Sequence, residues 1–103
     1  MNSSVKPHMW LFDQSPDTAT VVSKSIIYEG HPILFVTHDE DDHGWQFLDG
    51  CNPPSEFVHV CLSHPVNLDV SVLVLADLPS GWCAWRDSSS NAWSREPLAT
   101  NEV

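Results

Sequence analysis

Apolar and polar positions along this chain follow two periods, and each change of period marks an element. The run Ile33-Leu34-Phe35-Val36-Thr37-His38 is apolar on both faces of a strand, which predicts a β-strand placed centrally in a sheet. Residues 39–44 are polar and end in Gly44, and Trp45 to Leu48 then predicts a returning strand. Trp45 and Phe47 fall on one face of it, and the pair of strands forms a hairpin with a long tip. Phe57 to Leu62 predicts another strand, with Val58, Val60 and Leu62 alternating against His59 and Cys61. Thr18 to Val22 is β-branched and suits a strand, Trp82 to Arg86 reads as one, and Trp93 to Arg95 as a last short one. Ser23 offers an N-cap and Gly30 a C-terminal stop for a short helix over residues 23–29. Asp69 caps a second helix over 70–77, which would bury Val70, Leu73, Val74 and Ala76, although VSVLVL suits a strand equally well.

These elements predict a single α+β domain over residues 1–103. Its small antiparallel sheet is built from strands near 33–38, 45–48, 57–62 and 82–86, with the two short helices on one face. The expected core contains Ile26, Ile33, Phe35, Trp45, Phe47, Val58, Val60, Leu73 and Trp82. Residues 1–17 form an extended segment in which Trp10, Leu11 and Phe12 lie against the body and Gln14-Ser15-Pro16-Asp17 turns. The tail over 97–103 is expected to be loose.

Composition adds two things to this picture. Five Trp and four Phe are many for 103 residues, and aromatic burial offsets the limited core of a short chain. Fourteen acids face four bases, for a formal net charge of -10, a field that repels nucleic acid and anionic membranes and favours a basic protein partner. The three cysteines are odd in number and lack a C-x-x-C spacing, and no secretory leader opens the chain. The expectation is a cytoplasmic protein with reduced thiols.

The acids concentrate at one place. Asp39, Glu40, Asp41 and Asp42 follow His38 and precede His43. Asp39, Asp41, His43 and Gly44 match the start of a calcium loop, but the twelfth position, which should supply a bidentate Glu, is Gly50. His38, His43, His59 and His64 are zinc-type ligands without zinc spacing. Cys61 with His59 or His64 supplies a nucleophile and a base, but no orienting acid and no supporting motif accompanies them. No catalytic residue, metal ligand or cofactor is therefore assigned.

Asp42-x-Gly44-Trp45-x-Phe47-x-x-Gly50 resembles the D-x-G-W signature of a family of small bacterial proteins grouped with immunity-protein-like domains. Val22-Ser23-Lys24 is similar to that family's V-S-K opening, Leu68-Asp69-Val70-Ser71-Val72 to its D-P-S element, and Pro79-x-Gly81 to its P-x-G turn. Val70 departs from the pattern, which has Pro there. The resemblance spans residues 18 to 87 and implies an α+β fold with a small antiparallel sheet and no catalytic residues. The resulting expectation is a non-catalytic protein-interaction module, of immunity type, that binds a basic partner through Asp39, Glu40, Asp41, Asp42, His43, Trp85 and Trp93. The alternative is a small-ligand- or metal-binding regulatory domain.

Overall fold

The computed structural model describes residues 10–53 and 55–98. In chain order it contains β1 (Ala19–Ser23), α1 (Lys24–Glu29), β2 (Phe35–His38), β3 (Trp45–Leu48), β4 (Phe57–Cys61), α2 (Ser63–Leu68), a 3₁₀ helix (Val70–Leu75), β5 (Trp82–Trp85) and β6 (Ser94–Pro97). The class is α+β. The six strands form one sheet in the order β4-β1-β3-β2-β5-β6.

The sheet is larger than the sequence predicts, and it is mixed instead of antiparallel. β1 runs parallel to β3, with Val21 opposite Gln46 and Val22 opposite Phe47. Every other pairing is antiparallel. Alternation along a strand reports which side is buried, but not which distant strand lies beside it, so this long-range pairing leaves no local signal. The predicted hairpin is present, with Val36 opposite Phe47 and His38 opposite Trp45. β2 is central, between β3 and β5.

Register separates the two faces of the sheet. One line of neighbours runs Val58, Val22, Phe47, Val36, Ala84 and Arg95. Val22, Phe47, Val36 and Ala84 on this inner line are fully buried, and they join Ile26 of α1, Val66 of α2, and Val72 and Leu75 of the 3₁₀ helix in one cluster. The adjacent line on the other face runs Phe57, Ser23, Leu48, Phe35, Trp85 and Ser94. Phe57 and Trp85 are exposed there, at 51% and 39%. Phe35 therefore corrects the expected core, because it faces outward beside Trp85 and is only half-buried, while Val36 takes the inward position. Val58 faces inward but is half-buried, because β4 is an edge strand. Ile26, Ile33, Trp45 and Phe47 are buried as expected. Phe12 is a further core residue, with its ring edge-on to Trp45 at 5.0 Å.

Gly30 ends α1 in the left-handed conformation, φ 72°, as its sequence position suggests. Ser23 stands at the N-cap position but does not cap; its hydroxyl accepts the Asp49 N–H at 2.9 Å instead. No periodic signal in the sequence marks α2, which contains Pro65. The proline is tolerated because it lies in the first turn, where N–H groups have no intrahelical partner.

Asp69 does cap the next segment, accepting the Ser71 N–H at 3.0 Å. That segment is a 3₁₀ helix over 70–75 and not the expected α-helix over 70–77. Its three-residue turn places Val72 and Leu75 on one line, so these are buried while Val70 and Val74 are 60% and 58% exposed. Residues 12–14 bend, so the segment before β1 is not extended throughout. β6 reaches Pro97, and the Leu98 N–H donates to Gly81 O at 2.8 Å. The rest of the expected tail, 99–103, and residues 1–9 lie outside the described residues.

Candidate functional site

The β2–β3 loop is closed at its base by the Asp39 N–H donating to Gly44 O at 2.7 Å. Two of its carboxylates shape the backbone. Asp39 Oδ1 accepts the Asp41 N–H at 2.9 Å, and Asp42 Oδ1 accepts the Gly44 N–H at 2.8 Å. These side-chain turns let His43 adopt a positive φ of 57°. Glu40 lies against Gly81, where a Cβ would approach Glu40 Oε1 to 3.3 Å and where φ is +85°. Both features favour glycine at that crossing. Gln14 reaches the loop from the N-terminal side and donates Nε2–H to His43 O at 2.8 Å.

Glu40, Asp41, Asp42 and His43 are exposed, and Asp39 is half-buried. The described bases are all engaged elsewhere: Lys24 with Glu56 at 3.3 Å, Arg86 with Asp69 at 2.7 Å and Arg95 with Asp77 at 2.9 Å. Among the described residues, then, no basic side chain neutralises the loop. Nor do three His, Cys, Asp or Glu side chains converge among them in a way that would hold a metal ion.

The two tryptophans expected to share this surface do not lie beside it. Trp85 is on the outer face next to Phe35, at the end of β2 opposite the loop. Trp93 is half-buried against the core, with the Arg86 guanidinium 4.0 Å from its ring centroid. The acidic loop, Trp85 and Trp93 are three separate places. Trp10 packs near Phe12, at 5.5 Å between ring centroids, and donates its indole N–H to Gln14 O at 2.7 Å.

His38 and Trp45 form the support beneath the loop. Their rings stack at 4.0 Å, and His38 Nδ1 lies 2.7 Å from Leu78 O, which fixes Nδ1 as the protonated nitrogen because a carbonyl can only accept. Cys61 and His59 both point outward from β4, but no hydrogen bond joins Cys61 to His59 or His64 among the described residues.

Two polar clusters are assembled by the fold from residues far apart in sequence. In the first, Arg86 is buried and donates to Ile33 O, Ser71 Oγ, Ser89 O and Asp69 Oδ2. Asp69 and Ser71 also line a cleft of about 300 Å³ with Ile26, His31 and Leu68. Burial works to raise the Asp69 carboxyl, but Ser71 and Arg86 outweigh it and hold the group below its ordinary range. In the second, Asp49 is buried behind β3. Its Oδ2 accepts from Ser25 Oγ at 2.7 Å and its Oδ1 from the Cys51 N–H at 2.9 Å. Burial again opposes ionisation, and the Cys51 N–H, the Ser25 and Ser55 hydroxyls and the charge of His31 together hold the Asp49 carboxyl low. Neither cluster has a sequence signature, because its members are brought together only by the sheet.

No protein-family model, curated protein or solved structure matches the chain. Among the described residues no helix is long and apolar enough to cross a membrane.

Proposed function

We propose that this protein is a non-catalytic interaction module whose β2–β3 loop engages a basic protein partner. The observation that carries the reading is the charge of Asp39, Glu40, Asp41 and Asp42, which no basic side chain among the described residues compensates, on a loop whose backbone is internally tied. Such a loop presents negative charge without first having to break ion pairs, so it attracts a basic surface at long range and needs little reordering on contact. His43 completes the tip. Trp85 lies at the far end of the outer face. With its neighbours Phe35 and Leu48 it forms a second, apolar area that a partner spanning that face would cover. Trp93 is assigned to packing against Arg86 and leaves the proposed surface.

The resemblance of Asp42-x-Gly44-Trp45 and its companion motifs to immunity-type proteins makes the proposed partner a toxin-like protein. An enzyme that acts on phosphate-bearing substrates is basic, and an acidic inhibitor complements it. The test is affinity capture with the native chain and with a variant carrying Asp39→Asn, Glu40→Gln, Asp41→Asn and Asp42→Asn. A partner retained by the native chain, released by salt and not retained by the variant supports the reading. A partner retained equally by both contradicts it.

A further inference from the structure

We propose that a small cavity beside the β2–β3 loop is a guanidinium site, which seats one arginine side chain of a basic partner. The inference rests on the reading of that loop as a recognition surface and names the group it recognises. The cavity holds about 150 Å³ and is lined by Asp13, Gln14, His38, His43, Trp45 and Ala76. No Lys or Arg is among them. Asp13 is exposed and forms no ion pair among the described residues, and His43 joins the cavity to the four acids of the loop.

Independently of that charge, two lining residues carry acceptors with nothing to accept from. Gln14 donates its Nε2–H to His43 O at 2.8 Å, and a carbonyl can only accept, so the orientation of the amide is fixed. Its other atom, Oε1, is buried and has no hydrogen-bond partner among the described residues. An unpaired buried acceptor is costly, and a donor brought in from outside removes that cost. His38 is oriented in the same way. Its Nδ1–H is committed to Leu78 O at 2.7 Å, so in the neutral ring Nε2 is left with a lone pair and, among the described residues, no donor.

The same residues select the kind of cation. Among the described residues no three His, Cys, Asp or Glu side chains converge closely enough to hold a metal ion, and the His38 and His43 rings stand 6.4 Å apart between centroids. The spacing suits a larger, organic cation. His38 stacks on Trp45 at 4.0 Å, so three flat rings contribute to the walls. A guanidinium is planar, carries five N–H donors in a fixed fork, stacks on ring faces and gives up its water more readily than an ammonium. It can answer the Gln14 and His38 acceptors and the Asp13 carboxylate from one plane, whereas a lysine offers a compact, strongly hydrated point charge.

The experiment titrates the full chain with N-acetylarginine amide, and separately with its citrulline and lysine counterparts, while NMR follows the Gln14 side-chain amide and the His38 ring. Citrulline is the neutral control, a urea of nearly the same shape. The arginine probe should shift both signals saturably, and the other two should bind at least about tenfold more weakly, the size of a charge-assisted hydrogen bond. Gln14→Leu, followed at His38, should weaken the arginine probe by about the same factor. Asp13→Asn changes an exposed side chain and should also weaken it, so the test survives if Gln14→Leu lowers the melting temperature. Absence of a saturable shift, which would mean a cavity filled by water alone, or binding of citrulline or lysine as tight as that of arginine, would overturn the proposal. The two readings fail separately. A partner captured through the loop while the arginine probe does not bind removes the guanidinium site alone, and a bound probe with no loop-dependent partner removes only the recognition reading.

Discussion

Arg86 has the densest set of contacts of any charged side chain described. Its guanidinium reaches Asp69 at 2.7 Å, Ser71 at 3.2 Å and Ser89 O at 3.3 Å, and its Nε–H reaches Ile33 O at 3.0 Å. The Arg86 side chain is buried and that of Asp69 is 26% exposed, so removing Arg86 leaves a partly desolvated carboxylate and empties its place, and Arg86→Ala should cost about 2–4 kcal/mol in a urea melt. Asp69 and Asp49 give the pH dependence. Both are held below the ordinary carboxylate range. Their stabilisation is therefore complete above the unfolded value of about 3.9 and is lost as pH falls through their lower folded values. Stability should decline from about pH 4 downward, and Asp69→Asn should flatten part of that decline. An acid profile of the Asn variant that parallels the native one would contradict this assignment. The sequence announces Asp69 as a cap, since Ser71 stands two residues on. It does not announce Arg86 as its partner, because β5 brings that residue in from the other side of the 3₁₀ helix.

At the scale of elements, the hairpin is the part most legible in the sequence. Its strand period, its Gly44 and its aromatic pair are all local, and the structure retains each of them. Trp45 is 3% exposed and packs on His38, Phe12 and Phe47, so Trp45→Ala should cost about 3–5 kcal/mol. Asp41 is exposed, and among the described residues its side chain makes no hydrogen bond, so Asp41→Asn should stay within about 0.5 kcal/mol of the native chain. A tolerant Trp45 together with a sensitive Asp41 would mean that the loop carries the fold. The segment 70–75 is where the period misleads. VSVLVL fits strand and helix alike, and its 3₁₀ turn follows from packing on the sheet and not from propensity. The turn predicts a contrast. Val72→Ala should cost about 2 kcal/mol, because the side chain is fully buried, whereas Val74→Ala should be nearly neutral in the same thermal or urea melts. Equal costs would fit a different helical period. α2 was hidden for a related reason, since Pro65 reads as a breaker unless it is known to lie in a first turn.

At the scale of the whole molecule, the organising feature is a sheet with one face in the core and an outer face on which Phe57 and Trp85 are exposed. Each strand's alternation could be read locally, but the parallel union of β1 and β3 sets the strand order and could not. The same gap explains why the sequence grouped Trp85 and Trp93 with the acidic loop. Aromatic character does not report position: Trp85 stands on β5 beside Phe35 on the outer face, and Trp93, just before β6, packs against the core beside Arg86. What stays intact is the loop itself, four acids that no described base compensates in a chain of net charge -10.

The most direct test of the account is therefore the association rate between this chain and its captured basic partner at low and moderate salt. Steering charges act over about 8–10 Å at moderate ionic strength and act on encounter more than on dissociation. The native chain should associate more slowly as salt rises. The variant with residues 39–42 neutralised should start slower and respond less to salt, with dissociation little changed. Association by the native chain that is indifferent to salt, and equal to that of the neutralised variant, would contradict the claim that this loop recognises the partner.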